Sequence, residues 1–371
     1  MAAQMRRAKG QIDSVRRRRR DRSAHAALGR ASRSIFIPAR IKKTSVLRRM
    51  PEFGSLRLAA VPGGEGDVCA FELLPDGPPI IVEAVCGRAM TLMPGEMFLA
   101  TPGHRESTRF AVGGIPKRGL LPAKNYWVLS ESGVMGELVA GTPVTGSHLR
   151  QAKYVGVALG QDDRALNIRD FALSVANPGP DYKAPAFLFL GTSAEVGKTT
   201  AALTVLRTLL YKGHRTIIAL KATGTSGVTE IASYQDYGAA QCFDCVDFGL
   251  PTTYPSGRAD IAHRFEAALN ACFAMPADAV LIECGGDMLG ANVPLFLQHF
   301  RRWRPRAKVI LAAADALGAL SATTKLRKMG LSVTLITGPC TDSPTLCRRT
   351  EELCRVPAMN LARGEHLNAS Y

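Results

Sequence analysis

Ten consecutive residues carry the densest chemistry in the chain: Gly191, Thr192, Ser193, Ala194, Glu195, Val196, Gly197, Lys198, Thr199 and Thr200. Backbone amides at the start of a helix point at bound phosphates, and the helix dipole favours their charge. A lysine in the place of Lys198 reaches the outer phosphates, and the hydroxyl of Thr199 can sit on Mg²⁺. Five residues separate Gly191 from Gly197, where the usual phosphate-loop spacing has four, and Thr192 holds the usual first-glycine position.

Such a turn works only between a strand and a helix. The apolar run Phe187 to Leu190 reads as a short buried strand, and Leu203, Leu206 and Leu210 recur at helical spacing before Gly213. Beyond it, helical and strand patterns alternate. Helices are expected over 198–212, 259–275, 293–303, 321–329 and 345–354, with strands over 216–220, 279–282, 308–313 and 332–336. Alternation of this kind predicts right-handed crossovers and a doubly wound parallel α/β sheet, a P-loop NTPase domain spanning residues 183–365.

Ligands of such sheets collect at the carboxyl ends of the strands, which selects further residues. Lys221 ends one strand and opens the glycine- and hydroxyl-rich stretch 222–227; Asp236 lies just beyond. Glu283 closes the apolar run Ala279 to Ile282 and is followed by Gly285 and Gly286. A carboxylate on the strand beside a phosphate loop suits a hard cation, which makes Glu283, with the hydroxyl of Thr199, a candidate metal ligand. Thr337, Gly338 and Pro339 leave another strand, where a base-binding loop would be placed.

Residues 55–175 have a different grammar. Short apolar runs over 56–61, 68–73, 80–85, 97–100, 126–129, 135–139 and 154–159 are separated by glycine- and proline-rich turns, which predicts a small all-β sandwich or barrel. It reads as a binding or scaffold module, and the polar triplet His104, Arg105, Glu106 after a turn reads either as a ligand contact or as a solvated loop. Asn177 to Asp181, with two prolines and a glycine, marks the boundary between the halves.

The formal charge of +16 is concentrated. Residues 1–50 hold sixteen Lys or Arg against Asp13 and Asp21, leaving the remaining chain near neutrality at +2. That composition predicts a disordered basic arm: a leader or inert tail, an organelle transit peptide, or a segment able to bind nucleic acid or anionic lipid. No stretch is long and apolar enough for a membrane span. Nine cysteines, an odd number, fit a reducing cytoplasmic setting. Cys242 and Cys245 have metal-ligand spacing but lack a second pair, so free thiols are expected there.

The phosphate loop resembles that of dethiobiotin synthetase, whose pattern Gly-Thr-Asp-Thr-Glu-Val-Gly-Lys-Thr has the same extra residue. The similarity extends to Leu220-Lys221 with the following glycine loop and to Ile282-Glu283-Cys284-Gly285-Gly286, and covers roughly residues 185–360. It implies an ATP- and Mg²⁺-dependent ligase or kinase that phosphorylates a small carboxylate or carbamate, with a homodimer as an accompanying expectation. On this resemblance Lys198 binds phosphates, Lys221 steadies the transferring group, and Thr199, Asp236 and Glu283 surround the metal. The sequence departs from that family at Ala222, where it has proline, and in the leading β-rich half. Two other readings stand beside it. A partitioning- or carrier-type ATPase switch would carry a signature lysine where this chain has Ser193. A polynucleotide-kinase-like protein would use the basic arm.

Overall fold

The computed structural model describes residues 35–38, 40–106, 111–141, 149–175, 184–254 and 258–363. The basic residues 1–34 and the interdomain segment around Asn177 to Asp181 lie outside the described residues.

Among the described residues, the N-terminal half has twelve strands. The first six are β1 (Ile35–Pro38), β2 (Lys42–Lys43), β3 (Ser55–Ala59), β4 (Cys69–Leu73), β5 (Ile80–Glu83) and β6 (Ala89–Leu92). The other six are β7 (Met97–Pro102), β8 (Arg105–Glu106), β9 (Ala111–Gly114), β10 (Asn125–Val128), β11 (Val134–Gly141) and β12 (Gln151–Leu159). Pairing runs β12 to β4 to β7 to β11, and β10 joins β11 back to β12, which closes a five-stranded ring. Of the expected alternatives, sandwich or barrel, the ring is a barrel.

Alternation fills its interior, as a small barrel requires. Cys69, Phe71 and Leu73 of β4 point inward with Phe98 and Ala100 of β7 and Tyr126 and Val128 of β10. On β12 the inward set is Ala152, Tyr154 and then Val157, because a bulge between Tyr154 and Gly156 shifts the register by one. The phenols at the centre are satisfied: Tyr154 donates to the Val61 carbonyl at 2.8 Å, and Tyr126 accepts from Leu121 N at 2.7 Å.

The basic segment was expected to remain disordered as far as residue 50, and there the structure corrects the sequence reading. Residues 40–50 are part of the fold. Val46, Leu47 and Met50 are buried against Leu58, Ala70 and Leu99 on the outer face of the barrel, and Val246 of the C-terminal half joins the same cluster. Their basic neighbours are ion-paired rather than solvated: Lys42 with Glu96, Lys43 with Glu52, Arg48 with Asp244 and Asp247, and Arg49 with Asp247. Charge density alone misled here, because an apolar pair at Val46 and Leu47 sits inside the basic run.

Among the described residues, the C-terminal half forms a six-stranded sheet whose strand pairs are all parallel. Its strands are β13 (Ala186–Gly191), β14 (Ile217–Thr223), β15 (Gln241–Phe243), β16 (Ala279–Cys284), β17 (Ala307–Ala312) and β18 (Val333–Thr337), in the spatial order β15-β14-β16-β13-β17-β18. The helices are α1 (Lys198–Tyr211), α2 (Val228–Asp236), α3 (Arg258–Ala274), α4 (Val293–His299), α5 (Ala316–Lys328) and α6 (Pro344–Cys354). Strands buried on both faces read as continuous apolar runs, and the two faces separate by period two. Phe187 and Phe189 pack under α1 and α2, whereas Leu188 and Leu190 pack under α3, α4 and α5. Cys242 and Cys245 are not joined by a disulfide. Among the described residues no helix is long and apolar enough to cross a membrane.

Candidate functional site

The turn after β13 is held open by backbone geometry. Glu195 has φ +58° and Gly197 has φ +88°, and no side chain caps the start of α1. A Cβ at Gly191 would lie 2.8 Å from Lys198 Cδ and 2.9 Å from its Nζ, so glycine is what lets the lysine fold back across the turn. Lys198 Nζ donates to the Ser193 carbonyl at 2.8 Å. Burial pulls its ammonium below the ordinary lysine range, against the upward pull of Glu283. Of the ten residues expected to bind phosphate, Ala194, Glu195, Gly197, Lys198, Thr199 and Thr200 line the cavity above the turn. Gly191, Thr192, Ser193 and Val196 belong to the same turn and do not line the cavity. Thr192, for example, donates its amide to the Ala312 carbonyl at 3.0 Å and accepts from Ala314 N at 3.1 Å.

Parallel register brings the other residues to this turn. Glu283 stands beside Phe189 on one side and Lys221 on the other, across three adjacent strands. The residue is 5 % exposed, and its carboxylate accepts from Thr199 Oγ1 at 2.9 Å through one oxygen and from the Tyr234 hydroxyl at 2.5 Å through the other. Burial and the neighbouring Glu283 push the Tyr234 phenol well up, which keeps it a donor. Lys221 is ion-paired with Glu230, and burial pulls its ammonium down. Gly285 is forced: a Cβ there would lie 2.4 Å from the Thr223 carbonyl oxygen.

Two expected positions do not line the cavity. Asp236 is the last residue of α2 and exposed; at a rise of about 1.5 Å per residue it stands ~12 Å along the helix from the end that faces the cavity. The sequence reading missed α2 altogether, and with it Glu230, which the fold puts near Lys221 instead. Gly338 packs against the Val196 and Ala313 carbonyls, 2.8 and 2.9 Å from where a Cβ would stand, and Thr337 to Pro339 do not line the cavity.

The cavity, about 660 Å³, is walled by both halves of the chain. The N-terminal half contributes Glu83, Arg105, Ser130, Glu131 and Ser132, facing Lys221, Glu230 and Tyr254 of the C-terminal half. Ser226 Oγ donates to Ser132 Oγ at 3.2 Å across the boundary. Glu83 accepts from Val228 N at 2.9 Å and Thr229 N at 2.6 Å at the start of α2, and from the hydroxyls of Thr229 and Ser45. Burial lowers the Arg105 guanidinium, and Tyr254 and Glu131 oppose that pull. Of the polar triplet, Arg105 alone lines the cavity. Glu83 carried the same signal as Glu283, an acid ending an apolar strand, in Ile80-Ile81-Val82-Glu83.

The donor set suits a hard cation only in part. Among the described residues no three His, Cys, Asp or Glu side chains converge as a metal site. Thr199 and Glu283 supply adjoining oxygen donors, which fits an ion such as Mg²⁺ that keeps several waters and takes its other ligands from phosphate.

A parallel sheet, a phosphate turn entering a helix and a carboxylate on the neighbouring strand define a P-loop NTPase domain. No protein-family model matches the chain, and no curated protein matches it. Among solved structures it is similar to the cell division protein FtsY of Thermotoga maritima (17 % identity, TM-score 0.35, 54 % of this chain and 70 % of that one). It is also similar to a ParA family ATPase of Chlorobium tepidum (10 %, 0.30, 48 % and 84 %) and to a DUF1611 family protein of Anabaena variabilis (15 %, 0.36, 55 % and 62 %). Likeness of this depth says nothing of substrate or reaction.

Proposed function

We propose that the chain is an ATP- and Mg²⁺-dependent enzyme of ligase or kinase type, transferring a phosphoryl group to a small carboxylate or carbamate held between the P-loop and the barrel. The observation that carries this reading is the shared cavity: the space above Lys198 and Thr199 continues to Arg105, Ser130, Glu131 and Ser132 of the other half. A nucleotide gripped at the turn leaves its outer phosphate facing that second wall, beside Lys221 and Glu230.

Phosphoryl transfer asks a protein mainly for positioning and for charge where charge develops. Lys198, freed from the Ser193 carbonyl, and the uncapped amides of α1 hold the phosphates. Thr199 and Glu283 would hold Mg²⁺, which when bound neutralises charge shared between phosphates. Lys221 steadies the group in transfer, and its partner Glu230 keeps it aimed into the cavity. Position 193, where a partitioning-type switch places a lysine acting across a dimer, is a serine whose carbonyl accepts from Lys198 within the same chain.

The test is phosphate release from ATP and Mg²⁺ in the presence of a panel of small carboxylates and amines. At least one is expected to accelerate release tenfold or more, and Lys198→Ala should abolish the response. Acceleration by a protein or nucleic-acid partner, with every small acid inert, would contradict the reading.

A further inference from the structure

Helix α2 touches three different parts of the molecule. At its first turn the Glu83 carboxylate takes the amides of Val228 and Thr229, at 2.9 and 2.6 Å. Glu230 pairs with Lys221 at the end of β14. One turn on, Tyr234 is 2 % exposed and its hydroxyl holds one oxygen of Glu283, while Thr199 of the P-loop holds the other.

We propose that α2 couples the barrel to the phosphate site, with Tyr234 as the positioning residue for Glu283 and Glu83 as the barrel contact that sets α2. The kinetic consequence rests on the nucleotide reading above; the structural one does not. The terminal torsion of a glutamate is soft and roughly two-fold, so a carboxylate held at one oxygen swings and one held at both is fixed. Glu83 is itself fixed: it is buried, accepts from Ser45 and faces the positive end of the helix dipole. The tip of its hairpin sits on the helix as well, since a Cβ at Gly87 would lie 3.0 Å from Val228 Cγ1. From Val228 to Tyr234 is about 9 Å of continuous helix at ~1.5 Å per residue. Movement imposed at the first turn is therefore delivered to Glu230 and Tyr234 together. Ser226 and Ser132 meet just before that turn, so a molecule lodged against the barrel wall bears on α2 directly.

Tyr234→Phe removes one hydroxyl and keeps the packed ring. The measurement is the Mg²⁺ concentration for half-maximal basal ATP hydrolysis, with metal-free nucleotide affinity determined separately. Tyr234→Phe should raise that concentration about tenfold, the size of one hydrogen bond to a charged group, and leave metal-free affinity within about twofold. Glu83→Gln keeps the shape but turns an amide donor toward α2's amides; it should shift the requirement in the same direction by less. The double variant should match Tyr234→Phe alone, because the effect of Glu83 passes through the phenol. Effects that multiply, or an unchanged Mg²⁺ requirement in Tyr234→Phe, overturn the coupling. Hydrogen exchange on the nucleotide-free protein gives a second readout. Glu83→Gln should speed exchange about fivefold or more at residues 228–231 and also at 283–286, whereas acceleration confined to 228–231 overturns the proposal. If that spread is seen in a protein that binds no nucleotide, the coupling stands and the phosphoryl-transfer reading alone fails.

Discussion

Replacing Arg48 with methionine should destabilise the protein far more than any surface arginine would. Arg48 Nη2 lies 2.6 Å from Asp244 Oδ1 and 2.7 Å from Asp247 Oδ2, and those aspartates are 1 % and 2 % exposed. Burial alone would lower the guanidinium; the two carboxylates outweigh it and hold Arg48 charged. Removing one partner of a buried ion pair costs about 3–5 kcal/mol, because the other charge stays buried. Here the remaining donors soften the loss: Asp247 keeps Arg49, and Asp244 keeps the amides of Val246 and Gly227. The expected cost is therefore near the lower end, about 3 kcal/mol, or roughly a hundredfold in the unfolding equilibrium. Urea unfolding followed by tryptophan fluorescence reads it, since Trp127 reports on the barrel and Trp303 on the C-terminal half. Arg48→Met combined with Asp244→Asn and Asp247→Asn should recover much of the loss, because no charge is then left stranded. A cost under about 1 kcal/mol, the range of exposed pairs, would refute the placement of residues 40–50 inside the fold.

Other outcomes follow from the same geometry. Gly285→Ala, with its Cβ at 2.4 Å from the Thr223 carbonyl, should displace the strand end that carries Glu283 and cut ATP turnover at least tenfold; wild-type turnover would mean that this contact relaxes freely. Phe98→Ala should cost about 3–5 kcal/mol in the barrel transition, read at Trp127, because the ring is fully buried against Phe71. Lys198 and Lys221 both have ammonium groups lowered by burial, and bound phosphate favours the charged form. Nucleotide affinity should thus be constant below the free protein's lysine pKa and fall as pH rises through it, starting earlier than for an exposed lysine; affinity flat from about pH 7 to about pH 10 would contradict this.

The sheet was legible in the sequence because strands buried on both faces are unbroken apolar runs, and Ala279 to Ile282 or Phe187 to Leu190 admit no other local solution. The phosphate turn was legible because glycine, lysine and threonine must fall in a fixed order at a helix start. The two short elements between β14 and α3 were not. In α2 the buried residues are only Ile231 and Tyr234, too few to show a period, and β15 has three residues. Missing α2 left Glu230, the partner of Lys221, unnoticed. The contribution of the N-terminal half was hidden for a different reason: Glu83, Arg105 and the turn Ser130 to Ser132 are far apart in the chain and meet only in the fold. Glu83 could have been suspected from its place at the end of Ile80 to Val82, the pattern that identified Glu283. The ordered stretch at 40–50 was masked by charge, although Val46 and Leu47 within it are apolar neighbours that no solvated arm requires.

The most direct test of the account is a calorimetric titration of ATP with Mg²⁺ into the wild-type protein and Lys198→Ala. The geometry of the turn at Gly191 to Thr199 predicts saturable binding to the wild type and its loss, by a hundredfold or more in affinity, in a variant that unfolds at the same urea concentration. Equal affinity in the two proteins would show that the turn does not grip phosphate.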